Sequence, residues 1–116
     1  MKIKTNELER IMLDYAVAKC LGHEVVENYV SYIRIYLTDP KQAGYALTFC
    51  PSTDWAHGGP IIERERITVI AMPNGTWATS SPCHSFHHPT PLIAAMRCYV
   101  ASKLGDEVEV PDELLT

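Results

Sequence analysis

The chain has 116 residues, 47% apolar and 21% charged, the length and usage of one ordinary globular domain that can bury a core without disulfide or metal staples. Its formal net charge is −4, and the placement matters more than the sum: Asp106, Glu107, Glu109, Asp112 and Glu113 crowd the C-terminus with no base among them, leaving ten bases against nine acids elsewhere. No dense basic stripe exists, which disfavours duplex DNA as a partner; no apolar run nears the ~20 residues that cross a bilayer; and residues 1–7 carry no apolar signal-peptide core, so the expected setting is cytosolic.

The first predicted element is a helix over residues 7–21. Leu8, Ile11, Met12, Tyr15 and Ala16 recur at helical spacing, Asn6 and Glu9 offer a capping box, and Gly22 is a stop. Residues 24–37 change to period two, with β-branched and aromatic residues throughout, and read as a strand. A turn at Asp39-Pro40 leads to a second, shorter strand over 45–49. A helix follows from about Asp54 to Glu65, interrupted by Gly58-Gly59-Pro60. Ile67 to Met72 and Thr76 to Thr79 flank Pro73-Asn74-Gly75 and read as a hairpin. Residues 82–89 read as a loop. Thr90-Pro91 opens the last helix, over 91–104, and Gly105 ends it.

The predicted order is α-β-β-α-β-β-α. Two hairpins joining into one four-stranded antiparallel sheet, layered with helices, give an α+β domain of the alpha-beta-alpha sandwich type over 1–105. An acidic tail occupies 106–116, and Val108, Val110 and Leu114 offer it apolar contacts by which part could dock. The four cysteines, Cys20, Cys50, Cys83 and Cys98, form no CxxC pair and read as reduced, mostly structural thiols.

Four constellations carry chemistry. Ser52-Thr53-Asp54-Trp55-Ala56-His57-Gly58-Gly59 places a cap, an indole, a histidine and two glycines at a helix N-terminus. Unpaired backbone N–H groups there suit a phosphate, Trp55 a base, His57 a hydrogen bond, and the glycines a close approach. The plainer reading is a cap, a core indole and a bend. Thr90 starts a second helix N-terminus, and Arg97 on that helix suits a phosphate or a structural carboxylate. Cys83, His84, His87 and His88 have ligand types that zinc accepts, but Pro82 and Pro89 argue against the helix that would align them; Cys50 and His57 would have to be recruited through the fold. No metal or other cofactor is expected. Tyr29, Tyr32, Tyr36 and Tyr45 suit either ordinary strand packing or a homo-oligomer interface. No Gly-x-Ser-x-Gly elbow or P-loop is present, so no catalytic residue is expected.

Several segments together are similar to a known family: residues 13–22, 51–64, the strand at Trp77, and 90–105. Their Leu13-Asp14…Ala…Gly22 helix, Ser52-Thr53-Asp54-Trp55 and Thr90-Pro91-Leu92-Ile93-Ala94-Ala95 resemble the NinX-like proteins of tailed bacteriophages and prophages, and beyond them the phage alpha-beta-alpha sandwich domain. Residues 23–50 and 82–89 lie outside the resemblance. It implies an accessory phage protein acting in the cytoplasm of the infected bacterium and brings no enzyme activity with it.

Together these readings predict a non-enzymatic counter-defence protein that sequesters a small phosphate-bearing nucleotide through Ser52, Thr53, Asp54, Trp55, His57, Gly58, Gly59, Thr90 and Arg97. The first alternative is an inhibitor or regulator that binds a host protein, with the acidic tail as its contact. The second is a metal-dependent hydrolase built on the histidine-rich segment.

Overall fold

A computed structural model describes residues 1–22, 35–38, 46–81 and 84–111, with backbone alone for 35–38 and 46–48. The elements are β1 (Lys2–Lys4), a single 3-10 turn (Thr5–Glu7), α1 (Arg10–Cys20), β2 (Ile35–Thr38), β3 (Ala46–Phe49), α2 (Trp55–Glu65), β4 (Thr68–Ala71), β5 (Trp77–Ser81), β6 (His84–His88), α3 (Pro91–Leu104) and β7 (Glu107–Glu109). The α+β class stands, but the expected four-stranded sheet does not form. Among the described residues β2 and β3 pair with each other, β4, β5 and β6 make a three-stranded antiparallel sheet, and β1 pairs with β7.

The third strand of the main sheet is the segment read as a loop. His84, Phe86 and His88 lie half-buried on one side while Ser85 and His87 are exposed, a strand alternation. Histidine and serine have weak strand preference, so only the pairing of Ser81 with His84 through Trp77 with His88 reveals it. The hairpin at Pro73-Asn74-Gly75 forms as read. Gly75 takes φ +85°, and Asn74 Oδ1 accepts from Thr76 N at 3.1 Å and Thr76 Oγ1 at 2.6 Å.

Helix α3 is the centre of the molecule. Every residue from Ala94 to Val100 is buried, so it is covered on all sides rather than along one stripe. The main sheet lies against it on one side, and α1 and α2 pack against it elsewhere. Leu13 and Val17 of α1 meet Met96, Tyr99 and Val100 in one core with Leu8. The predicted start of α1 moves. Leu8 is wholly buried, Thr5 N donates to Asp106 O at 2.7 Å and Thr5 Oγ1 to Gly105 O at 2.6 Å. These contacts hold residues 5–7 in their own turn, so the Asn6–Glu9 capping box gives way and Glu9 caps α1 without a side-chain bond.

Part of the acidic tail belongs to the fold. Glu107 lies opposite Lys4 and Glu109 opposite Lys2, while Val108 and Val110 enter the core. Of the tyrosines, the side chains of 29, 32, 36 and 45 lie outside the described residues, as does residue 83.

Candidate functional site

The site is built where β3 runs into α2 against the start of α1. The chain leaves Phe49 and turns tightly: the Cys50 carbonyl accepts Thr53 N at 3.2 Å and Asp54 N at 2.9 Å. Asp54 then caps α2, its Oδ1 accepting Ala56 N at 2.9 Å. One turn along, His57 Nδ1 accepts Cys50 N at 3.1 Å, and its ring stacks on Phe49 with centroids 5.6 Å apart. Cys50, Asp54 and His57 thereby come together, their ligand atoms all within 4.8 Å of one another.

A cavity of about 690 Å³ opens beside this turn, lined by Arg10, Ile11 and Asp14 of α1 and by Cys50, Thr53, Asp54 and Trp55. The volume suits a small organic ligand. Trp55 is 54% exposed, so its indole is not core. Arg10 adopts a left-handed backbone, φ +51°, a conformation that costs a side-chain-bearing residue about 1–2 kcal/mol. Asp14 is buried at 4% exposure and its Oδ1 accepts Ser52 N at 2.8 Å. Burial pushes its carboxyl up from 3.8 to about 6, against the lowering influence of Ser52 and His57. Ser52 Oγ is near enough to favour the carboxylate yet completes no hydrogen bond of good geometry, although it is buried.

The expected residues separate. Thr53, Asp54 and Trp55 line the cavity, and His57 stands beside them through Cys50 and Asp54. Ser52 is wholly buried. Four of the anticipated free N–H groups at this turn are already engaged, because Ser52, Thr53, Asp54 and Ala56 give theirs to Asp14, Cys50 and Asp54. Gly58 also serves packing rather than ligand approach: a Cβ there would stand 2.5 Å from both Leu92 Cδ1 and the Pro51 carbonyl oxygen. Thr90 and Arg97 do not line the cavity. Thr90 caps α3 without a side-chain bond, and its N–H donates to His88 Nδ1 at 2.9 Å. Arg97, 6% exposed, donates from Nε to the Leu8 carbonyl at 2.9 Å and from Nη2 to Glu9 at 3.4 Å.

Arg10, Ile11, Asp14 and Cys50 were not foreseen in the site. Asp14 had a signal: an acid between Leu13 and Tyr15, on the helix face with Val17, has no reason to be there unless something beneath needs a carboxylate. Arg10 had none, since its left-handed backbone depends on where residues 5–8 are held.

The site is therefore a half-open cavity at a helix start, walled by a cation, two carboxylates and an exposed indole, on a small α+β scaffold. The sequence matches the family described as Bacteriophage P22, NinX over residues 4–103, and the chain belongs to that family. The match runs across 23–50 and 82–89, the segments left outside the motif resemblance. No curated protein matches the chain. Among the described residues no helix is long and apolar enough to cross a membrane.

Proposed function

We propose that this phage protein captures a small nucleotide in the cavity between α1 and the Cys50–Asp54 turn and holds it unchanged, as a sponge for a host immune signal. The observation that carries the reading is the exposed Trp55 ring at the mouth of a cavity that also presents Arg10. An indole stacks on any base, a contact worth about 1–3 kcal/mol by precedent from single strands. Arg10 supplies the phosphate contact that the turn's backbone lacks, and its fork suits a phosphate bidentately. Asp14 and Asp54 are acceptors, suited to ribose hydroxyls or an exocyclic amine. Strain at Arg10 fits a residue kept for a ligand rather than for stability.

For the tail-mediated alternative, Glu107 and Glu109 lie opposite lysines of β1 and both remain exposed. Equilibrium binding to cyclic oligonucleotides and ADP-ribose-type nucleotides tests the proposal. Trp55→Ala and Arg10→Gly should each weaken the complex about tenfold to a hundredfold, and the ligand recovered after denaturation should have its original mass. A hydrolysed product, or affinity untouched in both folded variants, defeats the reading.

A further inference from the structure

We propose that Cys50, Asp54 and His57 form a binding site for one divalent ion of the zinc type, on the wall of the cavity. The proposal stands on the side-chain cluster and holds whether or not the cavity takes a nucleotide. Cys50 Sγ lies 3.7 Å from His57 Nδ1, and His57 Nδ1 lies 4.0 Å from Asp54 Oδ2. The edges of a tetrahedral zinc site with sulfur, nitrogen and oxygen ligands are about 3.3–3.6 Å, given the usual bond lengths. The two edges at His57 are slightly longer than that, and the third, between Cys50 Sγ and the Asp54 carboxylate, lies within 4.8 Å.

Three features favour a metal over a plain hydrogen-bonded cluster. Asp54 Oδ1 is anchored on Ala56 N, which leaves Oδ2 as the oxygen turned toward His57. That side chain is 45% exposed and can close the remaining distance. His57 Nδ1 lies within 4.0 Å of both Cys50 Sγ and Asp54 Oδ2, and its lone pair is at present engaged by the Cys50 N–H at 3.1 Å. The Phe49 stack fixes the ring plane. A metal would take over that lone pair, and the Cys50 N–H bond would be surrendered for a coordinate bond. The donor set also fits in charge: a thiolate, a carboxylate and a neutral imidazole balance a divalent ion, and thiolate with imidazole favours zinc over magnesium or calcium.

A nucleophilic thiol relay fits the geometry less well. In such a relay the thiol and the acid engage opposite nitrogens of the imidazole. Here both approach Nδ1. Three protein ligands leave a fourth position for water or an anionic oxygen. Cys50 and Asp54 both line the cavity, so that position is reached from it. Among the described residues, His84, His87 and His88 of strand β6 are not members of this cluster.

Full-length protein stripped with a chelator and then titrated with cobalt(II) and zinc(II) tests the site. The expected result is one equivalent bound, a thiolate-to-cobalt absorption band in the near ultraviolet, and at least tenfold weaker zinc binding in Cys50→Ser and in His57→Ala, with Cys83→Ser unchanged. In the unmutated protein, zinc should slow alkylation of Cys50 at least tenfold, a readout that survives if a variant fails to fold. Substoichiometric metal, a cobalt band that persists in Cys50→Ser, or Cys50 alkylation indifferent to zinc overturns the proposal.

Discussion

Asp14 shows what a single residue contributes to this fold and what it costs. Its folded pKa of about 6 lies above the ordinary 3.8, so between those values the folded protein holds a proton that the unfolded chain has released. Stability linked to Asp14 is therefore fully present below about pH 4 and lost as pH rises through 6, a difference on the order of 3 kcal/mol. Asp14→Asn keeps an oxygen for Ser52 N and gives the unpaired Ser52 Oγ a donor. It should stabilise the protein by about 1–3 kcal/mol at pH 7.5, with the gain vanishing near pH 4.5. Urea melts of both proteins at the two pH values measure this; parallel pH profiles would contradict it. A second residue-scale prediction concerns the paired glycines. Gly58→Ala forces a methyl against the Pro51 carbonyl and Leu92, so it should cost about 3 kcal/mol. Gly59→Ala meets only Trp55 Cε3 at 4.0 Å and should gain up to about 1 kcal/mol from helix propensity. Equal denaturation midpoints for the two variants would refute the distinction.

At the scale of elements, legibility followed how much of each signal was local. Helix α3 was readable to the residue because Thr90-Pro91 and Gly105 bracket a continuous helical pattern. Helix α2 was readable through its Asp54 cap, although it runs on through Pro60, whose missing N–H leaves the exposed Ala56 carbonyl without its usual donor. Strand β6 was missed because its residues gain strand character from β5 alone. Strand β7 was missed because a run of acids reads as a solvated tail until Lys2 and Lys4 are placed opposite. The prediction at this scale is a truncation. Ending the chain at Gly105 removes β7 with buried Val108 and Val110, at 4% and 1% exposure, and should cost about 3–5 kcal/mol. Ending it at Pro111 keeps both valines and should cost far less. Thermal melts compare the two; equal loss would mean that β7 adds nothing to the core.

Across the whole molecule, the sequence pointed to a turn that borders the cavity but not to how the backbone donors of that turn are used. Ser52-Thr53-Asp54-Trp55 was picked for free backbone donors, and the fold spends those donors internally. What remains for a ligand is side-chain chemistry: Trp55, Arg10 and the two carboxylates. Half of that set comes from α1, some forty residues earlier in the chain, and is brought near only because α1 and α2 both pack on α3. Spacing cannot announce a meeting arranged through a third element. Cys50 and His57, by contrast, meet locally through the tight turn at 50–54 and the first turn of α2, and the sequence named both as ligand types without joining them.

Native mass spectrometry of the full chain, purified from infected cells with an active immune response, reads directly whether the cavity holds a nucleotide. An adduct of nucleotide mass should be retained by the unmutated protein and absent from equally folded Trp55→Ala. Protein carrying no adduct, or the same adduct on both forms, would contradict the proposed capture.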